Sequence, residues 1–281
     1  MEAIVAAREQ FLSMVAELRP ELHRYCARLT GSIIDGEDVV QDALAKAFYA
    51  MSMQSELPPL RPWLFKIAHN TAIDRLRSHG HKLTDPRAEM EDVMPADDRP
   101  DPIAVRAALS RFLALTITQR AAVILKDVLG HSLEDTAQTM DTTVPAVKAA
   151  LVRGRAALAA AESAPVAADA RAREQLSAYA TLFNARDWDG VRAMIGEDCR
   201  LDLVAKSQRR GKAVGMYFGN YEKADVRVEL AQLDGRDVLA AYVAGAAAPA
   251  YYILLDFADG RVQTIRDYRY VPYIAAERAL G

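Results

Sequence analysis

The chain has 281 residues, of which 51% are hydrophobic and 26% charged, and its formal net charge is −3. This composition is typical of globular proteins and excludes a mostly disordered chain. No run approaches the ~18 consecutive apolar residues of a membrane span, and Glu2 and Glu9 interrupt any export signal. The two cysteines, Cys26 and Cys199, are far apart, which excludes a disulfide framework or a zinc site built on CxxC pairs. We expect a cytoplasmic protein with no membrane association, metal or cofactor.

The charge is unevenly distributed along the chain. Residues 103–160 carry 7 Lys and Arg against 4 Asp and Glu, whereas residues 81–102 carry 3 against 7. Four prolines stand among those acids, so 81–102 is predicted to be a solvated, extended linker. The low net charge therefore combines a basic segment with an acidic one.

Residues 1–80 are predicted to form a helical domain. Hydrophobic positions from Phe11 to Leu29 recur at helical spacing until Gly31, and residues 35–50 form a second amphipathic pattern. A loop with several prolines leads to a third helix over 63–77, where Trp63, Ile67 and Ile73 share an apolar face.

Residues 103–160 are predicted to form a second helical domain that contains a helix-turn-helix. Its first helix covers 132–140, the turn 141–143 and the second helix 144–160. Thr143 can cap the second helix, and Pro145 is tolerated in its first turn because that N–H would have no partner there. Residues 161–170 form an Ala/Pro/Ser joint.

Residues 171–281 are predicted to form an α+β domain. Two helices, at 171–185 and 188–195, precede strand patterns at 199–204, 226–233, 238–244, 251–257 and 262–270. Asp234-Gly235 and Asp259-Gly260 are typical hairpin turns. The pattern predicts a curved antiparallel sheet with helices packed on it.

Three groups of polar residues could carry chemistry, and each has a structural alternative. Lys148, Arg153 and Arg155 lie on a helix without acids, which suits DNA phosphates but also an ordinary charged helix. The acids that begin the second helix could dock on a basic partner or simply offset the helix dipole. The third helix carries a polar face that could hold a nucleic-acid strand or merely be solvated, and this face comprises Lys66, His69, Asn70, Arg75 and Arg77.

Taken together, these motifs resemble bacterial sigma factors of the extracytoplasmic-function (ECF) group. The resemblance covers about residues 8–160 and lies in Asp-Gly-Glu-Asp-Val-Val-Gln-Asp at 35–42, Trp-Leu-x-x-Ile-Ala-x-Asn-x-x-x-Asp-x-x-Arg at 63–77, and a Leu/Arg pattern before the helix-turn-helix. It implies that 1–80 is the region-two domain and 103–160 the region-four domain. It also implies core RNA polymerase and promoter DNA as partners, recognition of the −35 and −10 elements, and melting of the −10 element.

The resemblance also implies roles for individual residues. The polymerase-binding positions match Glu37, Asp38, Gln41 and Asp42. The −10 helix positions match Asn70, Asp74 and Arg77, to which we add Lys66 from the polar face, and the loop 50–61 would capture a flipped base. The −35 positions match Lys148, Arg153 and Arg155. Ala149 and Ala150 stand where the family commonly has a hydroxyl and an arginine, so we expect promoter binding to depend on polymerase.

The element order of 171–281 resembles the SnoaL-like (ketosteroid-isomerase-like) cone, and several sigma subgroups carry such a domain as a regulator. Cone enzymes often use Asp and His, yet all five histidines precede residue 171. The remaining polar candidates are Asp202, Asp256, Asp267, Tyr217, Tyr242, Tyr251 and Tyr252, and aspartates on alternating strands are expected to face solvent. We therefore assign no catalytic residue and expect a regulatory domain that binds a small-molecule ligand or a protein partner.

The sequence leaves two other functions open. One is a polymerase-independent helix-turn-helix regulator with a ligand-binding domain, which would leave the motifs at 35–77 unexplained. The other is a cone-fold enzyme with a DNA-binding appendage, against which the absence of histidine after residue 170 counts.

Overall fold

The computed structural model describes residues 2–53, 58–78, 100–161, 170–222, 224–233 and 236–278. The chain forms two compact units, one within residues 1–164 and the other within 165–280. The predicted acidic linker and joint lie almost entirely outside the described residues. No helix in the described ranges is both long and apolar enough to cross a membrane.

The first unit begins with three helices: α1 (Glu2–Thr30), α2 (Ile33–Met53) and α3 (Leu60–Ser78). The first helix ends where predicted, because Gly31 adopts a left-handed conformation with φ of 77°. A second glycine, Gly36, brings α2 close to α1, since a Cβ atom there would lie 2.5 Å from the backbone of Ala27. The partly buried side chains of Trp63, Ile67 and Ile73 pack against the core, in agreement with the predicted apolar face.

The second half of this unit contains the predicted helix-turn-helix. This half comprises the helices α4 (Pro102–Arg106), α5 (Leu109–Phe112), α6 (Ile117–Val123), α7 (Leu133–Thr139) and α8 (Val144–Ala160), of which α7 and α8 form the helix-turn-helix. Helix α6 continues into a π-helical turn (Ile124–Val128). Thr143 caps α8 by accepting a hydrogen bond from the N–H of Ala146, and Pro145 occupies its first turn, as predicted. Between α7 and α8, Asp141 adopts a left-handed φ of 55° that turns the chain.

The two helical parts share one hydrophobic core. Tyr25 and Phe65 belong to the same buried cluster as Phe112 and Val123. Arg120 of α6 is buried and donates a hydrogen bond of 2.5 Å to the carbonyl oxygen of Leu29 at the end of α1. The boundaries proposed between these two parts remain a prediction from the sequence.

The second unit is an α+β domain. Its helices are α9 (Ala170–Asn184), α10 (Trp188–Ala193), α11 (Gly215–Glu222) and α12 (Tyr273–Arg278), with a 3₁₀ turn at Gly211–Val214. Its strands are β1 (Ile195–Leu203), β2 (Ser207–Arg210), β3 (Val226–Leu233), β4 (Arg236–Val243), β5 (Tyr251–Ala258) and β6 (Arg261–Asp267), in the order β2-β1-β6-β5-β4-β3. One face of this sheet packs against α9, α10 and α11 to form the core.

The prediction of an antiparallel sheet is wrong for one pair of strands. β1 and β6 run parallel, with Leu201 opposite Ile265, while the other pairs are antiparallel. Turn signals in a sequence identify pairs of strands that follow each other directly in the chain. β1 and β6 are separated in the chain by four strands and a helix, so no turn signal could predict their parallel pairing. The hairpin at Asp259-Gly260 is confirmed, because both residues have positive φ and Ala258 pairs with Arg261. The other predicted turn, 234–235, lies outside the described residues.

Candidate nucleic-acid interface

The acidic side chains at the start of α2 differ sharply in exposure. Glu37 is fully buried and forms an ion pair with Arg19 of α1. Asp42, five residues further along the helix, is exposed and has no ion pair within the described part of the chain. Glu37 therefore contributes to holding α1 and α2 together, whereas Asp42 is available to a partner.

The other two predicted polymerase-binding residues, Asp38 and Gln41, are intermediate in exposure between Glu37 and Asp42. Asp38 accepts a hydrogen bond of 2.9 Å from Arg75 of α3, which partly neutralises it. Gln41 is half-buried, and its amide nitrogen lies 3.5 Å from a carboxylate oxygen of Glu37. The surface of α2 that a partner can reach thus comprises Asp42 with parts of Asp38 and Gln41.

The predicted −10 residues lie along the outer side of α3. Asn70, Asp74 and Arg77 are exposed, and Arg77 lies 3.9 Å from the carboxylate of Asp74. Lys66, one turn before Asn70, forms an ion pair of 3.0 Å with Asp141, which lies in the turn of the helix-turn-helix. The structure therefore brings the predicted −10 helix and the −35 motif together.

The prediction that His69 lies on the polar face is wrong. The ring is buried, and its Nδ1 atom lies 2.6 Å from the hydroxyl of Tyr25. Burial lowers the pKa of His69 to about 4, so the imidazole is neutral at pH 7. His69 acts inside the core rather than on DNA, because the pairing of α3 with α1 turns it inward.

The three predicted −35 residues also have different environments. Lys148 is exposed near the start of α8, and Arg153 is half-buried further along. Arg155 instead binds the fully buried carboxylate of Asp127 with two hydrogen bonds of 3.0 and 2.6 Å. A bidentate pair of this kind fixes the orientation of α8 against the π-helical turn. Arg155 is thus engaged inside the protein.

A second contact joins α3 to the helix-turn-helix. Arg61 donates a hydrogen bond of 2.7 Å to the carboxylate of Glu21, and Nε2 of His131 lies 3.5 Å from the same group. The ring of His131 packs edge-on against Phe65, with centroids 4.7 Å apart. These contacts and the Lys66–Asp141 pair cover one side of α3.

The second unit holds a buried polar cluster at the end of β6. The carboxylate of Asp267 accepts hydrogen bonds from the hydroxyls of Tyr217 and Tyr221, at 2.7 and 3.0 Å, and from Nε of Arg269 at 2.8 Å. Its other oxygen accepts one of 2.9 Å from the backbone N–H of Arg269. Burial raises the pKa of both tyrosines well above the ordinary value, which keeps them as phenol donors. The hydroxyl of Tyr251 donates to that of Tyr221 at 3.2 Å.

The expectation that the strand aspartates face solvent is wrong for two of the three. Asp267 is fully buried, and Asp202 is nearly so and lies 3.8 Å from Nε of Arg266. Only Asp256 is exposed among the three, and it lines a groove of about 410 Å³ between the start of α9 and the β5–β6 hairpin. The alternation of side chains along the strand predicted that Asp267 faces solvent. The register of β5 and β6 instead places Asp267 opposite Ile253, which is buried.

Partial signals for the functional residues that sequence reasoning missed are nevertheless present in the chain. Lys126 and Asp127 interrupt the otherwise apolar run 121–129, and a charge inside such a run indicates a buried partner. Tyr217 and Tyr221 are spaced i, i+4, so a helix would place them on one face, but no pattern identified α11 as a helix. Tyr25 and His69 lie 44 residues apart and could be paired only by the fold.

Comparison with known proteins matches the two helical parts separately. The Sigma-70 region 2 family matches residues 14–82, and the Sigma-70 region 4 family matches residues 105–158. The region 2 match covers the motifs that a polymerase-independent helix-turn-helix regulator would leave unexplained. Sigma factors act by binding, so no reaction is assigned to this part of the chain.

The chain is also similar to individual known proteins. The ECF RNA polymerase sigma factor SigM of Mycobacterium tuberculosis is 34% identical over 140 residues, which cover 50% of this chain and 70% of SigM. The crystal structure of M. tuberculosis SigJ, also an ECF sigma factor, shares 23% identity over 91% of this chain and 95% of that chain, with a TM-score of 0.38. A putative ketosteroid isomerase from Kribbella flavida shares 21% identity over 34% of this chain and 74% of that one, with a TM-score of 0.29. On the strength of both region matches and the SigM similarity, the chain belongs to the ECF sigma factors, which bind core RNA polymerase and promoter DNA.

Proposed function

We propose that Asp42, with Asp38 and Gln41, forms the surface of α2 that docks on core RNA polymerase. The exposed carboxylate of Asp42 supports this role, because an unpaired surface charge is free to meet a basic partner. Glu37 is a positioning residue in this proposal, since its pairing with Arg19 holds α2 against α1.

Reversing the charge of Asp42 is the direct test of this docking surface. Asp42→Arg should weaken binding to core polymerase by about tenfold, which corresponds to roughly 1.4 kcal/mol for an interfacial charge. Titration of core polymerase with fluorescently labelled protein measures the effect. The matched control is Glu174→Arg, which makes the same charge change at an exposed site on α9. Equal affinities for both variants would remove Asp42 from the docking surface.

On the DNA side, we propose that α3 and α8 divide the two promoter elements. Asn70, Asp74 and Arg77 would contact the −10 element, and their exposure along one helix supports this. Lys148 would hold a phosphate of the −35 element from the start of α8, with Arg153 as a second contact. Arg155 would act by orienting α8, because the Nε–Nη2 edge of its guanidinium binds the carboxylate of Asp127.

In this proposal, the packing of α3 beside the helix-turn-helix is a closed state of the protein. The two elements are centred about 25 base pairs apart, which is about 85 Å of duplex at 3.4 Å per base pair. The ion pair of 3.0 Å between Lys66 and Asp141 instead holds the −10 helix and the helix-turn-helix side by side. Promoter binding would therefore require α3 and the helix-turn-helix to separate, and Lys66 would exchange Asp141 for DNA.

For the C-terminal domain we propose a regulatory role without catalysis. The Asp267 carboxylate, which is the most buried acid among the described residues of this unit, already accepts four hydrogen bonds within the protein. A general base needs a free lone pair directed at substrate, so this arrangement favours a structural role. Since polymerase and promoter DNA are the partners, we infer a cytoplasmic location for the whole chain.

Run-off transcription with core polymerase tests this function and the regulatory role together. The full chain should support initiation from its promoter, whereas core polymerase alone should not. Truncation after Pro165 should change the amount of transcript at equal sigma concentration, because it removes the second unit. Identical output from the two chains would remove the regulatory proposal, and no output from either would contradict initiation by this chain.

A further inference from the structure

The sheet of the C-terminal domain ends at β2, an edge strand that is strongly basic. All four of its residues, Ser207–Arg210, are exposed. In the β1–β2 register Arg210 lies opposite Arg200, which is exposed as well, and Lys206 lies just before the strand. We call these four cations, Lys206, Arg209, Arg210 and Arg200, the basic edge.

No carboxylate among the described residues forms an ion pair with the cations of the basic edge. Within the described part of the chain, Arg200, Arg209 and Arg210 have no ion pair. Lys206 donates a hydrogen bond of 2.9 Å to the hydroxyl of Tyr270, and its ammonium lies 4.2 Å from the centre of that ring. Three other exposed arginines of this domain are paired: Arg173 with Asp237, Arg192 with Asp189, and Arg227 with Glu229. The basic edge therefore brings together four cations that no carboxylate in the described ranges pairs with.

The acids near the basic edge do not offset it. Asp202 is on β1 but is nearly buried and lies beside Arg266. Glu197 and Asp198 are exposed earlier on β1, and no ion pair joins them to the four cations in the described ranges. Because side chains alternate along a strand, Arg209 and Arg210 project on opposite faces of the edge and can contact an extended anion from both sides.

We propose that the basic edge binds the phosphate backbone of promoter DNA. Arginine and lysine side chains and free backbone N–H groups are the common phosphate ligands, and an edge strand offers both. This inference rests on the proposed contact of α8 with the −35 element. The ten peptide units from Ala160 to Ala170 reach at most ~35 Å, so DNA bound at α8 would stay within reach of this domain. Such tethering raises the effective concentration of phosphates at the edge to the millimolar range.

This surface would add phosphate contacts to those proposed for α8. Ala149 on α8 is half-buried and provides no hydroxyl or cation for a phosphate, and Ala150 is buried in the core. Contacts from a second domain add to affinity without adding sequence preference, because phosphates carry no sequence information. The C-terminal domain would thus contribute to promoter binding directly.

The salt dependence of promoter binding tests this proposal. Holoenzyme with the full-length chain carrying Arg209→Gln and Arg210→Gln would be titrated onto promoter duplex between 50 and 200 mM salt. Each lost phosphate contact flattens the slope of log K against log salt by about 0.9. The double variant should therefore lose about 2 from the slope, and its deficit against wild type should be about tenfold larger at 50 mM than at 200 mM.

Three controls give every outcome a meaning. Arg192→Gln with Arg227→Gln makes the same charge change at paired arginines of the same domain and should leave the slope unchanged. Arg209→Lys with Arg210→Lys keeps the charge and should restore the slope. Thermal unfolding of the variants checks that the domain stays folded. Equal slopes for all chains would mean that the charges only protect the sheet edge from aggregation, and a defect in binding core polymerase without DNA would assign the edge to a protein; either result overturns the proposal.

Discussion

Replacing Arg155 with alanine is expected to lower the free energy of unfolding of the N-terminal unit by roughly 3–5 kcal/mol, the typical cost of removing one partner from a buried ion pair. The reason is Asp127, whose carboxylate is fully buried and accepts both hydrogen bonds of the guanidinium at 3.0 and 2.6 Å. Without Arg155 that carboxylate would lose both of these bonds in the core. Urea unfolding followed by far-UV circular dichroism would measure the loss.

Two further variants separate this effect from a loss of DNA contact. Arg153→Ala removes a half-buried cation from the same helix and should cost less than about 1 kcal/mol. Replacing the pair together, as Asp127→Leu with Arg155→Met, should recover most of the stability, because no unpaired charge then remains in the core. If Arg155→Ala unfolds like wild type but weakens −35 binding as much as Lys148→Ala, then Arg155 contacts DNA, as the family pattern suggests.

Arg155 also illustrates what the sequence could predict. Its place on the second helix of the helix-turn-helix follows from the cap at Thr143 and the apolar spacing, and the structure has that helix at Val144–Ala160 as predicted. Which side of the helix meets DNA and which meets the core depends on a partner 28 residues away. Local rules specify the element, whereas the pairing of Arg155 with Asp127 arises only when α8 packs on the π-helical turn.

The acidic motif of α2 shows the same limit of prediction from sequence, here among residues that are close together in the chain. Glu37, Asp38 and Asp42 share one helix and one motif, yet they are respectively buried, paired and exposed. Helical spacing puts Glu37 toward α1, where Arg19 meets it. In the C-terminal domain, hairpin turns predicted the neighbouring strands correctly, but the parallel contact of β1 with β6 placed Asp202 beside Arg266 rather than in solvent.

Cross-linking α3 to the turn of the helix-turn-helix is expected to abolish promoter-dependent transcription. Lys66 and Asp141 form an ion pair of 3.0 Å in the closed state, whereas the two promoter elements require their helices to lie about 85 Å apart along the duplex. With Lys66→Cys and Asp141→Cys joined by a short bis-methanethiosulfonate linker, the closed state cannot open. Run-off transcript should fall at least tenfold relative to the same chain before cross-linking.

The linker is reducible, so the experiment contains its own control. Adding dithiothreitol should restore the transcript to the level of the doubly substituted chain without linker, which excludes damage by the substitutions. The native thiols should not interfere, because Cys26 and Cys199 are buried and burial raises the pKa of Cys199 to about 11, which leaves little reactive thiolate. The ion pair alone is worth at most about 1 kcal/mol because both side chains are partly exposed, so Asp141→Ala without a linker should increase promoter affinity by less than about fivefold. Full activity of the cross-linked chain would show that the −10 and −35 motifs can be read without separating, and the closed state would then have no part in initiation.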